Sequence, residues 1–198
     1  MPRLVDHEQR RRQITDAARR VITRGGMEAA TFQSVAAEAG ISVRLVQYYF
    51  GTKKDFLMAT HRAVIDDSAA RFTERITAGG PITDPREIVR TVADALLPLD
   101  ADSRSDALVN VAFHVAGLTG SEIVSEDLLA PPRLLVATLT DVLSKADPDS
   151  AATAELDAGL ILGALVGLTQ SMLAGHHSAD EARRFVDHLL DRIPGTAR

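Results

Sequence analysis

Residues 31–50, TFQSVAAEAGISVRLVQYYF, hold two short runs of helical period on either side of one glycine. Phe32, Val35, Ala36 and Ala39 share one face of a first helix, which Gly40 ends; Val43, Val46 and Phe50 share one face of a second. Thr31 and Ser42 each stand just before a run, where a hydroxyl can accept a free N–H of the first turn. Helix, three-residue turn, helix is the sequence form of a helix-turn-helix, whose second helix enters the DNA major groove. Away from its apolar face the second helix carries Arg44, Gln47 and Tyr48 at i, i+3 and i+4. Guanidinium, amide and phenol can all hydrogen-bond base edges, and Arg with guanine and Gln with adenine are the favoured pairs. Tyr49 lies at the border of the two faces, so its ring can pack while its hydroxyl reaches a phosphate. Lys53 opens the following helix, where free backbone N–H groups and an ammonium together favour an anion.

Helical period continues on both sides, and no strand pattern is found. Upstream, in 8–24, Ile14, Ala17, Ala18, Val21 and Ile22 form one amphipathic stripe, and RGG at 24–26 reads as its stop. Downstream, Thr52 caps a helix expected over 53–77, with Asp55 near its positive end. AGGP at 78–81 breaks the chain, and Thr83 or Asp84 before Pro85 starts another helix. Further helices fit 85–97, 104–119, 124–145 (interrupted or entered through Pro131 and Pro132), 153–174 and 179–192. Ser178 and Glu181 have the spacing of a capping box, and Pro194 closes the last helix. The expectation is an all-α protein of about nine helices. A three-helix DNA-binding domain over 1–52 precedes a helical ligand-binding and dimerisation domain over 53–198, joined through the helix 53–77.

A chain of 198 residues can bury a sizeable core, and 45% apolar content is ordinary for a globular protein. Without Cys there is no disulfide or thiolate metal site, and the polar start MPRLVDHEQRRR lacks a signal-peptide apolar region, so a cytoplasmic protein is expected. The net charge of −5 is unevenly spread. Residues 1–62 hold eleven Lys and Arg against six Asp and Glu, a net +5, which leaves −10 on 63–198. A basic head on an acidic body suggests that the head alone meets a polyanion.

The stretch ITDAARRVITRGGMEAATFQSVAAEAGISVRLVQYYFGTKKDFLMA, residues 14–59, resembles the N-terminal domain of TetR-family transcriptional regulators. The matching pieces are the AA and later GG around the first helix, T then VAAEAGIS, and YYF followed by TKKDFL. By this resemblance Arg44, Leu45, Gln47 and Tyr48 face bases with Val43 near them, and Gln33 contributes at the groove edge. Thr31, Ser42, Tyr49 and Lys53 hold phosphates. Gln47 stands where the family often has Tyr, which changes what the operator must offer there. LGALVGLTQSMLAGHHSADEARRFVDHLLDRI, residues 162–193, resembles the C-terminal end of the BetI-like branch, whose last two helices pair across a homodimer. The resemblance implies a repressor that binds a palindromic operator and is released by a small molecule.

The body offers its own reason for pairing. AGLILGALVGL, 158–168, is apolar all round, and Gly159, Gly163 and Gly167 recur every four residues. Each costs about 1 kcal/mol in a helix interior, so three on one face imply a close backbone approach. Phe185 and Leu189 on the last helix join them as expected interface residues. The apolar run is shorter than the roughly 20 residues of a membrane span, and Thr169, Gln170 and Ser171 follow it, so no membrane role is expected. Packing within one chain is the other way to use such a face. Asn110, Phe113, His114 and Leu118, on or bordering one face of the helix 104–119, are the ligand candidates, although a lone His on an apolar helix is also an ordinary core residue. His176 and His177 are adjacent and cannot converge on one metal, so no metal or other cofactor is expected. A quaternary ammonium usually wants an aromatic cage, and the body has no Tyr or Trp, so choline is not carried over from the branch resemblance. No H-E-x-x-H, di-iron carboxylate pair or phosphate loop is present, so an enzyme is not expected. A DNA-binding protein without a ligand remains the alternative regulator.

Overall fold

Nine α-helices, and no strand, account for the regular structure of the described residues. In this computed structural model those are residues 2–78, 82–119, 130–193 and 196. In chain order they are α1 (Pro2–Ala29), α2 (Phe32–Ala39), α3 (Val43–Phe50), α4 (Lys53–Ala78), α5 (Pro85–Leu96), α6 (Ala101–Leu118), α7 (Ala130–Ala146), α8 (Ala154–Leu173) and α9 (Ala179–Leu190). A 3-10 turn, Pro148–Ser150, lies between α7 and α8. The protein is all-α, as its periodicity indicates.

Several boundaries differ from those expected, and α1 already begins at Pro2 rather than near residue 8. The stop at 24–26 is realised at Gly26, whose φ of 73° interrupts α1, but a further helical turn runs on to Ala29. α6 begins at 101 rather than 104, because Asp100 and Ser103 form a reciprocal cap: the Ser103 N–H donates to Asp100 Oδ1 at 2.7 Å and the Asp100 N–H to Ser103 Oγ at 3.0 Å. The Ser103 N–H and then its hydroxyl, which donates to the same Oδ1 at 2.7 Å, hold the Asp100 carboxyl below its usual range. Of the two candidate caps for α5, Asp84 is the one used, accepting from the Arg86 N–H at 3.0 Å. The turn at 79–81, the segment 124–129 of the expected seventh helix, and Pro194 lie outside the described residues.

By packing the chain divides into two units, Met1–Ser68 with Ser105–Val124, and Ala69–Arg104 with Ser125–Arg198. In the first, Ile14, Ala17, Ala18 and Ile22 of α1, Val35 and Ala36 of α2, Val46 and Phe50 of α3, and Phe56 and Leu57 of α4 are all buried, with α2 packed against both α1 and α3. Phe32 and Phe56 meet edge to face, 5.3 Å between centroids. α6 supplies Val109 and Phe113 to this core. The α6 start is tied to α1 by an ion pair between Arg19 and the buried Asp106, and by the hydroxyls of Thr23 and Ser105 at 2.9 Å.

In the second unit Val89, Val92 and Ala93 of α5 pack with Leu139 and Leu143 of α7, Ala158, Ile161 and Leu165 of α8, and Val186 and Leu190 of α9. The guanidinium of the buried Arg86 donates to the Thr196 carbonyl at 2.8 Å and pairs with Asp191 at 2.7 Å. Arg90 pairs with Asp187 through its Nε at 2.7 Å. α9 is thereby held against α5 along its inner side. The capping box at its start forms as expected, with the Ser178 N–H on Glu181 Oε2 at 2.8 Å and the Glu181 N–H on Ser178 Oγ at 3.3 Å.

Candidate nucleic-acid interface

The segment 31–50 folds as its caps and periodicity predict. Thr31 Oγ1 accepts the Ser34 N–H at 3.1 Å, and Ser34 Oγ accepts the Thr31 N–H at 2.9 Å, a capping box closed by serine instead of an acid. Gly40 ends α2 in the left-handed region, φ 67° and ψ 31°, which a side chain would resist. Ser42 Oγ accepts the Leu45 N–H at 3.2 Å and starts α3. The turn thus costs no buried backbone hydrogen bond, and α3 leaves it at a fixed angle.

α3 is sharply two-sided. Val46 and Phe50 are buried, at 0% and 5% exposure, whereas Arg44 and Gln47 are exposed and Tyr48 is 75% exposed. Val43, Leu45 and Tyr49 are half-buried between the two sides, and Gln33 on α2 is exposed. A 75% exposed tyrosine on a well-packed helix is unusual, because burying its ring would stabilise the fold. Its ring instead meets Tyr49 edge to face at 5.4 Å. Thr52 Oγ1 accepts the Asp55 N–H at 3.1 Å and donates to Asp55 Oδ2 at 2.6 Å, which fixes the first turn of α4 and with it the half-buried Lys53.

The distribution of charge is more selective than the total suggests. Arg12 pairs with Asp67 at 3.0 Å, Arg19 with Asp67 and Asp106, and Arg20 with Glu38 at 2.6 Å. Arg24 also pairs with Glu38, and the hydrogen bonds from Arg24 and then Arg20 lower the Glu38 carboxyl to about 2. Arg11 stacks over the Phe50 ring, 4.3 Å from its centroid, and donates to the Tyr49 carbonyl at 2.8 Å. Gln13 donates to the Ala39 carbonyl at 2.8 Å, closing the C-terminal end of α2. Several of the arginines that make the head basic therefore bind its helices to one another. Arg44, Lys53 and Lys54 have no acidic partner among the described residues and leave their charge to solvent. Sequence reasoning missed the roles of Arg11 and Gln13; their only signal was a place just beside the apolar stripe of α1.

The other expected sites are arranged as follows. On α6, Asn110, His114 and Leu118 are exposed, Leu118 at 76%, while Phe113 is turned inward with its ring 4.5 Å from that of His61. His61 is itself buried, and that burial pushes its imidazole below the usual value. On α8, Gly159, Gly163 and Gly167 are exposed, and a Cβ at any of them would meet nothing within 4 Å among the described residues. Leu156, Leu160 and Val166 are exposed beside them, at 69, 64 and 45%. α8 is long and apolar enough to cross a membrane by length and composition, yet Ala158, Ile161, Leu165 and Met172 on its other side lie in the core. Phe185, 46% exposed, and Leu189 border a groove of about 190 Å³ walled by α5, α8 and α9. His177 packs against Phe185 with the rings tilted by 55° and 4.9 Å between centroids. Among the described residues no three His, Asp or Glu side chains are grouped to hold a metal ion.

Comparison with known proteins agrees with this geometry. Residues 14–60 match the family described as bacterial regulatory proteins, tetR family. An HTH-type transcriptional regulator BetI from Burkholderia ambifaria is 40% identical over 95 residues, 48% of this chain and 48% of that protein. The match spans half or less of the length of the curated relatives. A transcriptional regulator from Rhodococcus sp. Rha1 superposes with a TM-score of 0.81 at 26% identity, covering 92% of this chain and 95% of the other. A putative transcriptional regulator from Saccharomonospora viridis, solved in complex with choline, has the same fold, with a TM-score of 0.79 at 21% identity over 93% and 97% of the two chains.

Proposed function

We propose that this chain, a member of the TetR family of transcriptional regulators, is a repressor that binds a palindromic operator as a homodimer and leaves it when a small molecule binds the body. The observation that carries the DNA reading is α3 itself: Arg44, Gln47 and Tyr48 stand exposed on a helix whose opposite side is fully buried. In this reading Arg44, Gln47 and Tyr48, with Val43 and Leu45 beside them, face base edges, and Gln33 reaches the groove margin. Thr31, Ser42, Tyr49 and Lys53 contact phosphates; each capping hydroxyl accepts a backbone N–H at its helix start, and Ser42 keeps its own hydroxyl hydrogen to donate to a phosphate oxygen. The functional division into 1–52 and 53–198 follows from those roles, with α4 carrying the connection.

Pairing through α8 and α9 is supported by the open glycine face, the exposed Leu156, Leu160 and Val166, and the groove beside Phe185 and Leu189. An exposed apolar surface of that kind is what a partner covers. The effector candidates are Asn110, His114 and Leu118, with Phe113 acting through His61. A repressor of this kind works in the cytoplasm, and its effector must bind the DNA-incompetent state more tightly than the competent one. Purified protein footprinted on DNA flanking its own gene tests the reading. A protected two-fold-symmetric site, with half-sites about 34–36 Å apart, is expected; protection without symmetry would refute the paired mode.

A further inference from the structure

The DNA-facing surface does not end with α3. Tyr48 and Tyr49 lie edge to face, and the Tyr49 ring in turn packs against His7, 4.6 Å between centroids and tilted by 48°. Three rings therefore run from the exposed side of the recognition helix onto the early part of α1. His7 is exposed, so its imidazole shields no core, and the packing leaves its ring edge open to solvent. Just beyond it in α1, Arg11 binds the Tyr49 carbonyl and the Phe50 ring, which fixes this part of α1 to the last turn of α3. Arg10 is occupied with Gln13 at 2.6 Å. Among the described residues, the polar side chain of this region that reaches the Tyr49 ring without a committed partner is thus an imidazole.

We propose that His7 is a further DNA-contacting residue, donating from its ring to the same run of phosphate backbone that Tyr49 meets. This rests on the reading that α3 faces DNA. The ring contact places His7 beside a phenol already suited to a phosphate, and Arg11 keeps the two elements from separating. An imidazole N–H is a good donor to a phosphate oxygen, and a protonated one also displaces a counterion. The contact positions and does not read sequence, since phosphate is the same at every base pair.

The test uses full-length protein and a duplex recovered by selection from a random pool, with affinity measured by fluorescence anisotropy at pH 6 over a series of salt concentrations. His7→Phe keeps an aromatic ring against Tyr49 and removes the donor. Its affinity is expected to fall about three- to tenfold, with the slope of log K against log salt reduced by about 0.9, the value of one phosphate contact. His7→Arg should restore the slope. If His7→Phe binds with unchanged slope and affinity, the ring is only a support for Tyr49 and the proposal is overturned. Arg44→Ala, measured in parallel, separates this from failure of the broader reading. Loss of sequence preference in Arg44→Ala with an unaffected His7→Phe rejects only the His7 contact, whereas no effect of either variant rejects α3 as the DNA-facing helix.

Discussion

Arg44 and Lys53 carry the same charge, but a base edge and a phosphate ask different things of it. Arg44 is exposed on α3 with no acidic partner among the described residues, and its planar fork can bind the two acceptors of a guanine. Lys53 is half-buried at the start of α4, where the Thr52–Asp55 cap fixes the backbone around it and an ammonium acts as a point charge. Arg44→Ala is therefore expected to cost about 1–3 kcal/mol at one base pair and to relax preference there. Lys53→Ala should weaken every site to a similar degree and lower the salt slope by about one. Binding measured on the selected site and on each of its single-base variants tells the two apart; equal loss of specificity in both proteins would remove the assigned roles.

Between elements, the fold of the head depends on charges that composition alone cannot apportion. Glu38 on α2 receives Arg20 and Arg24 from α1, and these bonds lower its carboxyl from the ordinary 4.5 to about 2. A carboxylate depressed in the folded state stabilises above its unfolded value, and that stabilisation disappears as pH falls from about 4.5 to about 2. The pair is accessible to solvent, so the effect is modest and screened by salt. The thermal midpoint of the wild type should accordingly fall more steeply over that interval than that of Glu38→Gln. Parallel curves for the two proteins would show that α1 and α2 do not rely on this clamp. The same contacts mark what the sequence could and could not reveal. The helices and their caps were legible because a buried stripe and a free N–H leave local, periodic traces at Val35, Val46, Thr31 and Ser42. The partners of Arg11, Arg19 and Arg24 were not, because a charge in sequence names neither its distance nor its direction. For the same reason Phe113 could be grouped with Asn110 and His114 along the chain, although its ring turns inward to His61.

At the scale of the whole molecule, the glycines of α8 separate a paired protein from a solitary one. Among the described residues nothing opposes a Cβ at Gly163, which would meet no atom within 4 Å. Glycine in a helix interior costs about 1 kcal/mol relative to a good helix former. If this face looked onto water in the working protein, Gly163→Leu would raise the thermal midpoint and leave the mass in solution unchanged. If a second copy lies against it, the same leucine must be accommodated between two closely approaching backbones, and the dimer should give way to monomer. Light scattering and thermal unfolding on one sample distinguish these outcomes, and the expected one is loss of the dimer. The consequence reaches DNA through geometry alone, because α3 and its side chains are untouched. A monomer presents one recognition helix where a two-fold operator offers two half-sites, so Gly163→Leu should bind that operator far more weakly while keeping its base preferences within a half-site. A monomeric variant with undiminished operator affinity would mean that each head binds on its own, and the two-fold operator would lose its physical basis.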